Sequence, residues 1–557
     1  MIKTNLFKNF TTKHYLLIGF ILLINLLQAA FTGLHIDEGY YWIYSKDLAW
    51  GYFDHPPMVA LLVHLGDLIS HSQLGIRLFM LLLTTVTSIL IIREIGEKND
   101  VWFLTLFILS FPLFHTHIGG FMALPDIPLV FFSLLFFLGY RRFLEKEDLP
   151  TSILLGFIAA AMIYSKYHAF LILGFTTLSN LKLLKSKYFW LIIVITSILL
   201  TPHMLWQVEN GFPSFKYHIY SRTKPLQLKY VFNNITSQIA VLGPLTFFLI
   251  ITGLTRFRVM KSDFRRGMIF NILGFYIFFF IVSFKNRIEA HWTVAITPLI
   301  MIATYPAIAG DPRLKKWFKR LGTVSLVLIM IVRIYIAANF IPMIGRTKSS
   351  FYKREATLSQ VKTMSHGLQV ASFNNFAFPG IYEFYEGDEV LHLASPTYRY
   401  CQFNLSQDQH RFDGDTLFVI VPRHMVGNPS DRIRLPSNKL VGVRYIYNFQ
   451  SLESLLLKPN GITKKDSLLT INIRLQNNSG KTIFFRHPSE PDICLMQDKH
   501  ELLAVHLEHF AEKLDNGQNL DISISIPLHK LDKEQPLSVY TRSKDGYRGE
   551  MISVKSF

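Results

Sequence analysis

Apolar runs close to the length of a bilayer crossing recur through the first two thirds of the chain, separated by short polar loops. This repetition predicts a helical, polytopic membrane protein. The runs lie near residues 15–34, 74–92, 101–118, 127–144, 151–165, 168–184, 188–206, 234–255, 267–284, 291–309 and 321–341, about eleven crossings. The fifth and sixth form the weakest pair, since Lys166 and His168 interrupt one apolar stretch. The run 56–69 carries His64 and Asp67 and is too short and polar to span, so it reads as a helix at the outer interface. After about Ile344 the pattern becomes strand-like alternation, as in LFVIVP at 417–422, LLTINIRLQN at 468–477 and ISISIPL at 522–528. The expected organisation is a membrane domain over 1–343, a mixed α/β domain over 344–450 and a β-rich, sandwich-like domain over 451–557.

Half of the 557 residues are hydrophobic, which fits this division, and the formal charge of +18 acquires a different meaning because of it. In a soluble protein such an excess of Lys and Arg suggests nucleic acid. Here the basic residues gather in alternate loops: Arg93 and Lys98; Arg141, Arg142 and Lys146; Lys182, Lys185 and Lys187; Arg256 to Arg266; Arg313 to Arg320. That is an orientation signal, so these loops are assigned to the cytoplasm and nucleic acid is not a partner. Lys3, Lys8 and Lys13 precede the first run, which reads as a retained helix entering from the cytoplasm; eleven crossings then leave the C-terminal region outside. Both cysteines, Cys401 and Cys494, fall in that region, and spacing does not decide whether they are bonded.

Ionisable residues near membrane depth are costly and mark sites or pathways. They collect on the outer side. HIDEGYYW at 35–42 supplies Asp37 and Glu38, GYFDHPPM at 51–58 supplies Asp54 and His55, and MALPDIPL places Asp126 at the start of the fourth run. Lys166 and His168, His203, then Lys216, His218 and Arg222, and finally Arg287, Glu289 and His291 join the same side. A carboxylate beside a hydroxyl serves as general base, and Lys, Arg or His stabilises a departing phosphate. Other readings of the same residues stand beside this one. Asp37 or Glu38 caps a helix, as does Asp126; Tyr40, Tyr41, Trp42, Trp50, Tyr52 and Phe53 form an interfacial aromatic belt or a sugar-stacking platform. His55, His115, His117, His168, His203 and His291, with Asp54 or Glu289, leave a divalent metal open, although no pair has a zinc spacing such as HExxH, and His115 and His117 read more simply as polar core residues.

The acidic first outer loop, the acidic–basic pair before Pro56-Pro57, the second acid in LPDIPL and the segment PHMLWQVENGFPSFKYH at 202–218 together resemble the GT-C glycosyltransferases, in particular bacterial protein O-mannosyltransferases and lipid A aminoarabinose transferases. The resemblance covers residues 30–300. It implies an inverting enzyme of the bacterial inner membrane, with a periplasmic C-terminal region that covers the site or recruits acceptor. Such an enzyme moves a sugar from a polyprenyl-phosphate donor to a lipid, glycan or protein acceptor, and no cofactor is certain. By the same resemblance Asp37 matches the catalytic first-loop carboxylate, with Glu38 beside it, and Asp126 matches the second acidic position across the cavity. The donor phosphate and substrate set would be Asp54, His55, Arg77, Lys166, His218, Arg222, Arg287, Glu289 and His291. FDHPP departs from the related acidic-Lys-Pro-Pro motif by placing His55 where the aminoarabinose enzymes have Lys, which passes the permanent positive charge to Arg77, Arg222 or Arg287. A transporter would place charges deeper and repeat them between halves, and no repeat is present. An oligosaccharide ligase or polymerase is the nearest alternative enzyme.

Overall fold

Helix signals in the sequence fall where the helices begin and end. The computed structural model describes residues 10–221, 225–257, 262–338, 354–435, 439–487, 489–497, 499–532 and 535–554, so Arg222 lies outside the described residues. The chain divides into two compact units, Met1–Phe351 and Tyr352–Phe557. The first contains α1 (Thr12–Phe31), α2 (Ile36–Lys46), α3 (Met58–Ile69), α4 (Gln73–Ile95), α5 (Val101–Leu109), α6 (Asp126–Glu145), α7 (Leu149–Ser165), α8 (Ala169–Ser179), α9 (Lys187–Glu209), α10 (Pro213–Lys216), α11 (Leu228–Leu242), α12 (Phe247–Thr255), α13 (Asp263–Val282), α14 (Thr297–Gly310) and α15 (Pro312–Ala338). Ser72 opens α4 by accepting the Gly75 N–H at 3.0 Å, and Gly96 closes it with φ 68°, a conformation that glycine adopts without strain. Asp148 caps α7 in the same way through Thr151 N–H at 3.0 Å.

Among the described residues seven helices are long and apolar enough to cross a bilayer: α1, α4, α6, α9, α13, the stretch Ala290–Gly310 and α15; the pair α11 and α12, bent by 87°, makes an eighth if counted as one span. The count of eleven expected from the apolar runs is therefore not confirmed, and the differences have local causes. The run 101–118 stops being α-helical at Leu109, just before Pro112, and resumes as a π-helical turn over Phe114–Ile118. The runs 151–165 and 168–184 give helices of 17 and 11 residues, separated at Lys166–His168. Pro244 follows Gly243 at the 87° break. Large apolar side chains face outward along the spans, among them Val324, Val327, Leu328, Ile331 and Val332 on α15, and Leu273, Ile277 and Ile281 on α13. Water would not tolerate such continuous stripes; lipid does, and the protein is a multi-pass membrane protein.

The interior of this unit is a large apolar cluster, a smaller one around Ala29, Leu81 and Phe121, and a few polar pins. Arg333 of α15 donates through Nε to Gln28 Oε1 at 2.6 Å and through Nη2 to Asn25 Oδ1 at 2.8 Å, both on α1. His115 completes the group at 3.1 Å, and Asn25 donates to Gly119 O at 2.5 Å. These bonds fix the π-helical turn 114–118 between α1 and α15.

The second unit begins with α16 (Arg354–Ser365), β1 (Gln369–Phe373), α17 (Ala377–Glu386), β2 (Leu391–Leu393), α18 (Phe403–Ser406), β3 (Leu417–Pro422), β4 (Arg432–Arg434) and β5 (Leu440–Ile446). Their sheet has the order β2-β1-β3-β5-β4, parallel between β1 and its neighbours and antiparallel beyond β3. Then follow β6 (Leu455–Lys465), β7 (Leu468–Asn477), β8 (Ile483–Phe484), β9 (Asp492–Gln497), β10 (His500–His506), β11 (Lys513–Leu514), β12 (Asn519–Pro527), β13 (Leu537–Arg542) and β14 (Arg548–Val554). Sheets β12-β7-β6 and β10-β9-β13-β14 bury their alternating apolar faces in one shared core, as the period-two patterns at 468–477 and 522–528 require. Cys401 and Cys494 are both buried free thiols.

Two loops, 408–415 and 448–454, zip together in this unit: Gly414 N–H donates to Phe449 O at 2.7 Å and Phe449 N–H to Asp415 O at 2.8 Å. Burial pushes the Glu453 carboxyl up to about 7, against the Gln409 N–H and the His410 charge that pull it down. The hydrogen bond from His410 to Asp413 raises the imidazole above its usual value. In both groups folding favours the protonated form. Stability from Glu453 is full below its unfolded pKa of 4.5 and is lost as pH rises through about 7; that from His410 is full below 6.5 and lost above it. The thermal midpoint should therefore fall between pH 5 and pH 8.5 by the equivalent of about 1–3 kcal/mol. Glu453→Gln should flatten most of that slope.

Candidate active site

The loop after α1 is held by a fully buried ion pair. Glu38 and Arg77 have 0% side-chain exposure and meet at 2.5 Å (Nη2 to Oε2) and 2.7 Å (Nε to Oε1). The remaining guanidinium donors go to the carbonyls of Ala29 (2.8 Å), Thr32 (2.7 Å) and Gly33 (3.0 Å), so all five N–H groups are used. Glu38 also accepts N–H from His35 at 2.7 Å and from Ala123 at 2.8 Å. These contacts bear on the expected roles of both residues. Neither Glu38 nor Arg77 has a free valence for a sugar, a proton or a phosphate; together they tie α2 to the end of α1, to α4 and to the loop before α6. Glu38 is also the capping residue that the sequence allowed, bonding back to the N-cap His35.

Asp37, one position earlier, points the other way and remains 42% exposed. His35 Nδ1 accepts its N–H at 3.3 Å and lies 3.4 Å from Oδ2. Burial works to raise the Asp37 pKa, but the His35 bond and the imidazoles of His35, His55 and His291 outweigh it and hold the carboxyl below its ordinary value. Asp37 is an anion at neutral pH. His55 is the opposite case: burial drives its pKa down to about 4, leaving a neutral ring whose Nε2 meets Tyr41 Oη at 3.2 Å and whose Nδ1 is buried with no protein partner among the described residues. It therefore does not replace the Lys of the related motif as a cation. Asp54 is buried and accepts from Tyr44 Oη at 2.5 Å, while its carbonyl accepts from His218 Nε2 at 3.0 Å.

At the start of α6, Asp126 is 2% exposed and receives Lys166 Nζ on both oxygens, at 2.7 and 2.8 Å. It is thus an ion-pair partner rather than a cap. Lys166 arrives there because α7 ends at Ser165, so the break in the apolar run that weakened the sequence reading is what delivers the ammonium. His291 Nε2 lies 3.8 Å from Asp126 Oδ2, and the His291 ring stacks on His117 with centroids 4.9 Å apart. His117, read from sequence as core, belongs to this cluster; only its place on a π-helical turn brings it there, and spacing gives no sign of that. Ligand atoms of His117, Asp126 and His291 lie within 4.8 Å of one another, the one such group among the described residues. A divalent cation fits these donors only if Lys166 leaves Asp126, because the ammonium holds both oxygens. His55, His168, His203, Asp54 and Glu289 take no part in it.

Tyr41 Oη meets His55 Nε2 at 3.2 Å and Tyr44 Oη donates to Asp54, so the rings of α2 pack against the FDHPP segment. Arg287 and Glu289 stand 3.4 Å apart and exposed, at 72% and 38%. The aromatic residues divide: Tyr40, Tyr41, Trp42, Tyr52 and Phe53 are buried, with Tyr44 and Tyr52 stacked at 4.3 Å, so they pack the loop and form no belt; Trp50 alone of that set is exposed. A relay that the sequence did not suggest fastens this loop to α9. The ring nitrogen Nδ1 of His203 donates to Trp50 O at 2.6 Å, and Tyr167 Oη lies 3.1 Å from its Nε2. Gln207 Nε2 donates to Tyr167 Oη and Ser214 Oγ, and Ser214 donates to Tyr52 O at 2.9 Å.

Comparison with known proteins bears on the fold. Residues 54–206 match the model of the family described as dolichyl-phosphate-mannose-protein mannosyltransferase. That segment includes Asp54, His55, Arg77, Asp126 and Lys166. The lipid A galacturonosyltransferase RgtD of Rhizobium johnstonii is 20% identical over 257 residues, which cover 43% of this chain and 52% of that protein. The chain thus spans about half the length of this curated relative. Among solved structures, apo ArnT from Cupriavidus metallidurans matches with a TM-score of 0.57 at 10% identity, covering 77% of this chain and 97% of ArnT. ArnT from the same organism bound to undecaprenyl phosphate matches with a TM-score of 0.55 at 10% identity, covering 78% and 98%. The GT-C architecture expected from the motifs is the fold of this chain.

Proposed function

We propose that this GT-C chain is an inverting glycosyltransferase of the bacterial inner membrane, moving a hexose or pentose from a polyprenyl-phosphate carrier to an acceptor on the periplasmic side. The observation that carries this reading is the buried Lys166–Asp126 ion pair with His291 3.8 Å from it, in a chain whose loop after α1 also presents an ionised, half-exposed Asp37. Asp37 takes the proton from an acceptor hydroxyl as its oxygen attacks the anomeric carbon, and the bond to the polyprenyl phosphate breaks on the opposite face. The phosphate leaves as a stable anion and needs no acid. Its charge meets Lys166, which carries three N–H donors and spends two contacts on Asp126, and the exposed Arg287; the neutral His55 contributes hydrogen bonds only. His218 and Asp54 shape the wall between them through a backbone carbonyl.

An apolar crevice of about 380 Å³ supports the lipid part of the reading. Phe136, Tyr140 and Phe143 line it in successive turns of α6, and Ile163, Phe170 and Leu200 line it about one turn or less from Lys166, His168 and His203. A prenyl tail laid there would hold its phosphate near Lys166. The UndP-bound ArnT structure supplies a precedent in another protein of this fold. In the test, protein in lipid receives a panel of polyprenyl-phosphate hexoses and pentoses with an envelope extract, and free polyprenyl phosphate is measured. Release that needs both one donor and the extract is expected, and the extract component that gains sugar is the acceptor. Folded protein that releases no polyprenyl phosphate from any donor would overturn the reading.

A further inference from the structure

A second set of reactive side chains lies in the other unit, where loops 408–415 and 448–454 meet. His410 Nε2 is 2.8 Å from Ser454 Oγ, and His410 Nδ1 is 3.0 Å from Asp413 Oδ2. The other Asp413 oxygen accepts the Ser451 N–H at 2.6 Å, so the carboxylate is held from behind. His410 and Asp413 are only 14% and 16% exposed, and Ser454 is half-buried at the turn that opens β6. From this geometry we propose that Ser454, His410 and Asp413 form a nucleophile–base–orienter set that hydrolyses small O-acyl esters, an activity separate from glycosyl transfer.

The order of contacts is what the chemistry requires. A serine hydroxyl is a weak nucleophile until a base takes its proton, and a carboxylate on the far ring nitrogen fixes the tautomer that leaves Nε2 free to accept it. Ser454 Oγ adds to the ester carbonyl carbon while its proton passes to His410 Nε2. Collapse breaks the C–O bond, and His410 returns the proton to the leaving alcohol. Water then attacks the acyl-serine, again losing its proton to His410, and releases the carboxylic acid with Ser454 regenerated. The Ser454 N–H makes no hydrogen bond among the described residues and sits beside the nucleophile, the place where a donor for the developing oxyanion is needed. The clasp between the loops does not depend on Ser454, because the backbone bonds at Gly414, Phe449 and Ser451 already make it. With the base mostly covered, only a short acyl group reaches the serine oxygen, which sets the substrate class.

The full chain in detergent, treated with a fluorophosphonate probe and mapped by peptide mass spectrometry, tests this. Wild type should carry the adduct on Ser454 and hydrolyse p-nitrophenyl acetate. His410→Gln should slow both by about 100-fold or more in protein that remains folded at the assay temperature. Asp413→Asn should lower kcat for the acetate ester without raising KM, as expected of a positioning residue. Asp37→Asn should change neither, which keeps this result independent of the transferase reading. Folded wild type without an adduct on Ser454, or equal labelling rates in wild type and His410→Gln, would reduce the trio to a hydrogen-bonded clasp.

Discussion

Asp37→Asn should lower donor-dependent release of polyprenyl phosphate by about 10²–10⁴-fold while leaving the unfolding midpoint near that of wild type. The substitution keeps the shape of the side chain and one acceptor oxygen but removes the base. Its structural cost is small because Asp37 is half-exposed and the bond from its backbone N–H to His35 survives the change, which removes only the charge of the 3.4 Å carboxylate contact with that ring. In wild type the acid limb of the rate should lie below the ordinary aspartate range, since the His35 contact and the nearby imidazoles hold the carboxyl ionised. Protonation, and with it loss of the base, therefore occurs only as pH falls well into the acid range. Steady-state release measured against pH, alongside the variant at pH 7, checks both statements. A variant as active as wild type would move the base elsewhere in the cluster.

Arg77→Met is expected to give the opposite phenotype, a loss of fold rather than of chemistry. It strands the Glu38 carboxylate in a fully buried place with only two backbone N–H partners, His35 and Ala123, and releases the carbonyls of Ala29, Thr32 and Gly33. Breaking one side of a buried pair typically costs about 3–5 kcal/mol. Unfolding of the detergent-solubilised variant, followed by heat or denaturant, should show that loss. The double variant with Glu38→Leu should recover part of it, because the uncompensated charge disappears. Single-variant stability equal to wild type would mean that water reaches Glu38.

The two carboxylates are adjacent in sequence, and nothing in HIDEGYYW separates their roles. What separates them is a partner 39 residues away from Glu38, which burial selects and periodicity does not reveal. The same holds for Lys166 and Asp126, 40 residues apart, and for Ser454, 44 residues from His410. By contrast, the first-loop acids, the second acid at the head of α6 and the change from helical runs to alternating strands were all legible, since each is written in local composition. Each helix of bridging length among the described residues falls on one of the apolar runs, but Pro112, Gly243-Pro244 and Lys166–His168 cut runs that hydropathy treats as continuous, so the expected count of eleven is not confirmed. The His55 departure was legible as a change of residue. That it leaves a neutral ring in a buried place was not, because burial decides it.

Histidines 115, 117 and 218 share an unusual backbone: His115 and His117 lie on the turn Phe114–Ile118, closed by the Gly119 N–H reaching back five residues to Phe114 O at 2.8 Å, and His218 lies on Tyr217–Ser221. A π turn is an α turn that holds one residue too many. Removing Thr116 alone would let the backbone relax to ordinary helical winding, turning the side chains before the deletion about 100° relative to those after it, so that His115 and His117 could no longer keep their separate partners, Arg333 on one side and His291 on the other. Loss of three nucleotides in the coding sequence could therefore dismantle the cluster while sparing the scaffold, and a one-residue gap at this point in an aligned paralogue would be a readable mark of lost activity.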